Sequence, residues 1–215
     1  MKVHYLCAYY SQWAHNNLAP RPSELWQSYK FCGAVKHGVM NGYLTVPWKK
    51  GPQRIEEKEA KKTRPIFGRF IAQRVNAEYG DCGLVPVPSK DSCDKEFFRS
   101  FQMVQESIPD SMANPILPIV RFTKKLESAS KGGLRGFDAV YPYLEVAPKV
   151  KPGPVVLIDD IVTTGGTLLA TKKRLEERGF EVRAAIVCGR TVAATEKAFY
   201  PRSFELTEDE GEIDL

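Results

Sequence analysis

No run of apolar residues in this sequence approaches the ~20 needed to cross a bilayer, so a helical membrane span is excluded. Histidine is scarce, with His4, His15 and His37 all in the first 37 residues, and no pair among them and Cys7 or Cys32 has compact metal-ligand spacing. The five cysteines (Cys7, Cys32, Cys82, Cys93, Cys188) are odd in number, far apart and form no CxxC pair. That pattern argues against both a disulfide framework and a zinc ribbon, and it suits a reducing, cytoplasmic setting. Neither GxxxxGK[ST] nor GxGxxG occurs, so a P-loop or dinucleotide-binding reading has no support. The first residues, MKVHYLCAYYSQW, lack the continuous apolar stretch of a secretion signal.

What is present is an ordinary globular composition, 43% hydrophobic and 27% charged over 215 residues, enough to bury a sizeable core. Charge is unevenly spread. Six acids and no base fall in residues 205–215, a tail expected to be disordered and solubilising. The remaining 31 basic residues against 20 acids leave a body of +11, which attracts anions: phosphorylated metabolites, nucleic acid or anionic surfaces. Residues 1–48 carry Trp13, Trp26, Trp48 and a cluster of tyrosines without a clean period, and read as a small cap or hood. Residues 49–64 hold seven bases and three acids and read as a charged connector.

From residue 65 to 204 the pattern alternates between helix and strand. Ile66, Phe67, Phe70, Ile71 and Val75 share one helical face, and Phe97, Phe101 and Val104 mark a second amphipathic helix. Leu84 to Val87 is a short apolar strand that its prolines must end. Ile116 to Phe122 and Tyr141 to Val146 read as strands around a polar, glycine-bearing loop. Val155 to Ile158 has no polar alternation, as expected of a strand buried on both faces of a parallel sheet. A helix from about Thr167 to Arg178 closes at Gly179, and Val182 to Val187 is the next strand. The fold class is therefore α/β, with a largely parallel central sheet flanked by helices.

Chemistry concentrates in VVLIDDIVTTGGT, Val155 to Thr167. Asp159 and Asp160 stand at the carboxyl end of the buried strand, where open α/β sheets bind ligands. Thr163, Thr164, Gly165, Gly166 and Thr167 then lead into a helix. Glycines admit close backbone approach, hydroxyls donate hydrogen bonds, and a helix N-terminus offers unpaired N–H groups, so the segment forms a phosphate cradle. The acids would repel phosphate and suit hydroxyls or a metal about a sugar's length away. An isolated pair of aspartates more often ends a strand and caps a helix; the apolar run before and TTGGT after make a sugar-phosphate site the better reading.

This segment resembles the signature of type I phosphoribosyltransferases: four apolar residues, two acids, two apolar residues, then small and hydroxyl residues around glycine. The resemblance implies that Asp159 and Asp160 hold the ribose hydroxyls of 5-phosphoribosyl-1-pyrophosphate (PRPP), with Mg²⁺ nearby, directly or through water. It implies that Thr163 to Thr167 surround the 5′-phosphate. LVPVPSK, Leu84 to Lys90, is similar to the pyrophosphate loop of the ComF-like (amidophosphoribosyltransferase-like) branch, which assigns Pro88, Ser89 and Lys90 to that role. SASKGGLRG, Ser128 to Gly136, resembles the branch's catalytic loop and gives Lys131 and Arg135 the departing pyrophosphate; Arg190 matches a further common position. The chain departs from the branch in lacking its N-terminal cysteine zinc module. It also has Thr163 where purine-salvage members carry an acid, which argues against a hypoxanthine or guanine acceptor.

Two functions follow as expectations. One is Mg²⁺-dependent transfer of phosphoribosyl from PRPP to a nitrogenous acceptor, by a homodimer acting on small molecules. The other is a PRPP-responsive regulator or nucleic-acid-associated protein without turnover; no helix-turn-helix or zinc finger accompanies it.

Overall fold

The computed structural model describes residues 1–10, 23–47, 51–126, 136–192 and 197–207. In chain order, β1 (Lys2–Tyr9) is followed by α1 (Ser23–His37), the hairpin strands β2 (Tyr43–Val46) and β3 (Gln53–Glu56), and α2 (Thr63–Arg74). Next come β4 (Gly83–Pro86), α3 (Arg99–Ser107), β5 (Val120–Phe122), the short α4 (Phe137–Val140) and β6 (Leu144–Val146). The chain then runs through β7 (Pro154–Val162), α5 (Gly166–Glu176), β8 (Glu181–Thr191) and β9 (Phe199–Glu205).

Five strands form the main sheet in the order β4-β7-β8-β1-β9. β4, β7, β8 and β1 are mutually parallel, and β9 closes the edge antiparallel to β1. β2 pairs with β3, and β5 with β6, as separate ribbons. The apolar run on β7 splits between two cores, because successive side chains of a strand face opposite ways. Val156 and Ile158 join the layer built from α1, α2 and α3 through Phe31, Val35, Phe67, Ile71 and Met103. Val155 and Leu157 join the opposite layer, with Leu168, Leu169 and Leu175 of α5 and Val120, Phe122 and Leu144 of the β5–β6 ribbon. The α/β, mostly parallel architecture is as the sequence implied.

Several boundaries are corrected. Residues 1–48 are not solely a cap, since β1 lies inside the main sheet, between β8 and β9. Its buried His4 and Tyr5 hide the strand from a hydrophobicity count; His4 Nε2 meets the Tyr79 hydroxyl at 2.5 Å. Residues 49–64 are not a plain connector: β3, a 3₁₀ turn over Glu57–Lys62 and the start of α2 occupy them. Ile116 to Phe122 is a strand only at Val120–Phe122, plus one bridge from Ile116 to Leu84, because Pro118 interrupts the pairing. Tyr141 to Val146 begins as a 3₁₀ turn, with Pro142 early in it, before β6. Glu205 ends β9 and Leu206 is buried, so the acidic tail begins beyond them; residues 208–215 lie outside the described residues.

Candidate PRPP site

Strand β7 delivers Asp159 and Asp160 to the carboxyl edge of the sheet, beside Pro86 of β4 and Val187 of β8. Being adjacent on a strand, they diverge. Asp160 shares its face with Ile158 and is buried against the α1–α3 layer. There its carboxylate accepts a hydrogen bond from Lys36 Nζ at 3.1 Å and lies 3.7 Å from an Arg99 guanidinium nitrogen. Asp159, half-buried on the other side, accepts the Asp160 backbone N–H at 2.8 Å. Desolvation, then the neighbouring Asp160 charge, raises the Asp159 pKa to about 7. One acid is thus held by two cations, while the other, desolvated beside a like charge, is held well above the usual carboxylate range.

No local sequence signal marks either cation. Lys36 comes from the last turn of α1, and Arg99 opens α3. Arg64 explains why Lys36 reaches the site. Its buried guanidinium donates from Nε to the Val35 carbonyl at 2.9 Å and from Nη2 to that of Lys36 at 3.3 Å. Its Nη1 pairs with Glu106 of α3 at 2.6 Å. A side chain of the segment read as a charged connector therefore caps α1 and ties it to α3. At Gly38, φ is +72°, so the chain leaves the helix in the left-handed conformation that glycine accepts without strain. Desolvation, then the charges of Arg99 and Lys36, hold His37 below the usual histidine range.

The loop after β4 is built into the same corner. Val87 N–H donates to the Ile158 carbonyl at 2.9 Å. Ser89 is buried; its N–H donates to Ser100 Oγ at 3.1 Å, and its hydroxyl donates to Asp91 at 2.6 Å. Asp91 in turn accepts the Arg99 N–H at 3.3 Å. Pro88, Ser89 and Lys90 are thereby fixed to the start of α3, next to Arg99, whose Nε is buried with no hydrogen-bond partner among the described residues.

The cradle follows the acids. Gly165 has φ +78° and starts α5, where Gly166 and Thr167 open the first turn. Thr163 is exposed and Thr164 half-buried, and the Thr163 hydroxyl lies 3.2 Å from that of Thr191. A Cβ on Gly166 would stand 2.6 Å from the Gly136 carbonyl carbon and 2.7 Å from Phe137 N, so the exit of the expected catalytic loop docks on the cradle. Lys131 and Arg135 fall outside the described residues. Arg190 does not enter the site: it stacks 3.9 Å over Phe204 and 5.9 Å from the Tyr5 ring.

Residues 102–214 match the family model described as a phosphoribosyl transferase domain. Competence protein ComFC of Streptococcus pneumoniae is 28% identical over 116 residues, 54% of this chain and 51% of that protein. Orotate phosphoribosyltransferase of Methanopyrus kandleri is 41% identical over 58 residues, 27% of this chain and 32% of that protein. The chain thus spans about half or less of the length of these curated relatives. Among solved structures, adenine phosphoribosyltransferase from Saccharomyces cerevisiae aligns with 74% of this chain and 89% of its own at 14% identity and a TM-score of 0.42. Asp159, Asp160 and the cradle lie within the matched region, whereas Lys36, Ser89 and Arg99 lie before it. With half the chain matched, this protein belongs to the phosphoribosyl transferase domain family, and its likeness to ComFC associates it with the ComF-like branch.

Proposed function

We propose that this protein transfers the 5-phosphoribosyl group of PRPP to a nitrogenous acceptor and releases pyrophosphate. The observation that carries the reading is the continuous run from the Asp159–Asp160 pair into the α5 cradle, faced by Lys36 and Arg99. Anion-binding N–H groups at one end and carboxylates at the other match a sugar bearing a phosphate. The Thr163–Thr167 segment takes the 5′-phosphate, and Asp159 accepts from the ribose hydroxyls. Asp160 does the same by exchanging part of its contact with Lys36. Arg99, with an unused Nε, and Lys90 receive the pyrophosphate, together with Lys131 and Arg135 on the strength of the family resemblance.

The acids also fit magnesium. Asp159 has no cation partner within ion-pair distance among the described residues and offers hard oxygen, the donor type Mg²⁺ takes alongside substrate phosphates. Asp160, already flanked by two cations, is the poorer ligand and would act through water. Bound Mg²⁺ would add charge neutralisation on the pyrophosphate oxygens. The protein's own contribution is orientation and electrostatics: the carboxylates stabilise positive charge growing at the anomeric carbon, and the cations stabilise negative charge growing on the leaving group.

A second reading rests on the Lys36–Asp160 pair itself. A site whose acid is already neutralised in the free chain also suits PRPP sensing without turnover, in a cytoplasmic regulator. The deciding experiment measures pyrophosphate release from Mg·PRPP across a panel of bases and amines. Acceptor-dependent release supports transfer. Saturable PRPP binding in calorimetry with no release for any acceptor supports the sensor, and absence of PRPP binding overturns both.

A further inference from the structure

Beneath the candidate site lies a group of side chains that the proposed chemistry does not use. Cys7 of β1, Cys32 of α1 and Cys188 of β8 converge in the core, all with zero exposure. Cys7 and Cys32 sulfurs are 3.3 Å apart, Cys32 and Cys188 sulfurs 3.8 Å, and all three lie within 4.8 Å of one another. They come from chain positions 25 and 156 residues apart, which is why no spacing motif announces them. Three sulfurs bound to one ion at ~2.3 Å sit roughly 3.8–4.0 Å from each other in tetrahedral or trigonal geometry. The cluster is within a few tenths of an ångström of that arrangement at one edge and needs only rotamer-scale adjustment at the others.

The neighbourhood keeps the space open. In the parallel register Cys7 lies opposite Gly189, where a Cβ would come within 2.6 Å of the Cys32 sulfur. Only glycine at 189 lets α1 bring its thiol down between β1 and β8. A disulfide would use two of the sulfurs and strand the third; a thiophilic ion uses all three. We propose that Cys7, Cys32 and Cys188 form a trithiolate site for a soft d¹⁰ metal ion, Cu⁺ or Zn²⁺, that pins α1 to the β1–β8 pair. Among the described residues no fourth side chain completes a tetrahedron, which favours three-coordinate Cu⁺ over Zn²⁺. The site is structural: Cys32 precedes Lys36 by one helical turn, so an ion there fixes the helix that reaches Asp160. It is independent of whether the protein turns PRPP over.

Because the cluster is fully buried, the ion enters as the chain folds. The full chain is therefore unfolded under reducing conditions and refolded with Co²⁺, as the optical probe for Zn²⁺, or with Cu⁺ supplied from a bicinchoninate complex. Retention of one equivalent of either probe, with a sulfur-to-metal charge-transfer band and a raised melting temperature, is the expected result. The band should persist in Cys82→Ser/Cys93→Ser, whose thiols lie outside the cluster, and vanish in Cys32→Ser. If Cys32→Ser fails to fold by circular dichroism, the wild-type and Cys82→Ser/Cys93→Ser measurements decide alone. Neither probe retained by the wild type, a band lost in folded Cys82→Ser/Cys93→Ser, or a band unchanged in folded Cys32→Ser overturns the proposal.

Discussion

Lys36, in the last turn of α1, donates to Asp160 of β7 across 3.1 Å and 124 positions of sequence. The relationship makes the N-terminal quarter of the chain part of the site. It also sets the electrostatics: Asp160 is buried yet compensated by Lys36 and Arg99, while Asp159 is left with desolvation and a like charge.

Lys36→Ala is expected to weaken Mg·PRPP binding about tenfold, because the ammonium that gives up part of its contact with Asp160 turns to a phosphate of the incoming ligand, one charge-assisted hydrogen bond at ~1.5 kcal/mol. Among the described residues Asp160 would then keep only the more distant Arg99 as a cation partner, and the folded chain would lose roughly 1–2 kcal/mol as a half-compensated carboxylate stays buried. Titration calorimetry with PRPP and urea unfolding read the two effects separately. Unchanged PRPP affinity in folded Lys36→Ala would show that the pair lies off the substrate path.

Arg64 should matter to stability more than to chemistry. Removing its guanidinium leaves the Val35 and Lys36 carbonyls without that donor and takes from Glu106 its shortest contact, leaving it Gln102 Nε2 at 2.8 Å and Lys61 at 3.8 Å. Arg64→Ala is expected to cost about 2–4 kcal/mol. Arg64→Lys keeps the charge but not the three-way fork, so most of the loss should remain. Denaturant midpoints for the two variants test this, and a loss below ~0.5 kcal/mol would mean that solvent replaces the clamp.

The Asp159 carboxyl gives a pH signature. Its pKa is raised in the fold from an ordinary 3.8 to about 7, so the native state binds a proton that the unfolded chain has released. Between these values stability falls as pH rises, and above about 7 the penalty is complete. Lowering pH from 8 to 6 should therefore stabilise the free protein by about 1 kcal/mol, and Asp159→Asn should flatten that slope. Ligand binding runs the opposite way: ribose hydroxyls and Mg²⁺ favour the ionised acid, so PRPP affinity should rise through pH 7 with proton release. Equal calorimetric heats in buffers of different ionisation enthalpy would contradict this.

The parts of the fold that were legible were those where one segment carries its own signal. The β7 run is apolar because both its faces are buried, and the acids and glycines beside it are contiguous. What stayed hidden was assembled from distance. Lys36 and Arg99 look like any surface cations until α1 and α3 bring them to Asp160. Arg64 shares its stretch with six other bases, and only packing distinguishes it, buried, from the exposed Arg54, Lys58, Lys61 and Lys62. β1 was obscured by His4 and Tyr5, polar or amphipathic residues whose burial depends on partners such as Tyr79. Lys131 and Arg135 fall outside the described residues, so the role the family resemblance gives them rests on that resemblance alone.

Gly166 offers the sharpest steric test. A methyl group there would overlap the Gly136–Phe137 backbone, which cannot swing aside as a flexible side chain would. At Gly165 the added Cβ would meet only the tip of Leu206, but the φ of +78° makes any L-residue strained. The two substitutions should therefore fail differently. Gly165→Ala should destabilise the α5 start by about 1–2 kcal/mol and weaken ribose 5-phosphate binding, because the cradle's own backbone is distorted. Gly166→Ala should leave binding of ribose 5-phosphate within a few fold, since helical dihedrals suit alanine. It should instead displace the Gly136–Phe137 junction, where the segment resembling the catalytic loop ends in the sequence, so PRPP turnover should fall by an order of magnitude or more with little change in KM. Steady-state kinetics beside ribose 5-phosphate calorimetry separates these outcomes. Parallel losses of binding and rate in Gly166→Ala would place its effect in the cradle and detach the loop junction from catalysis.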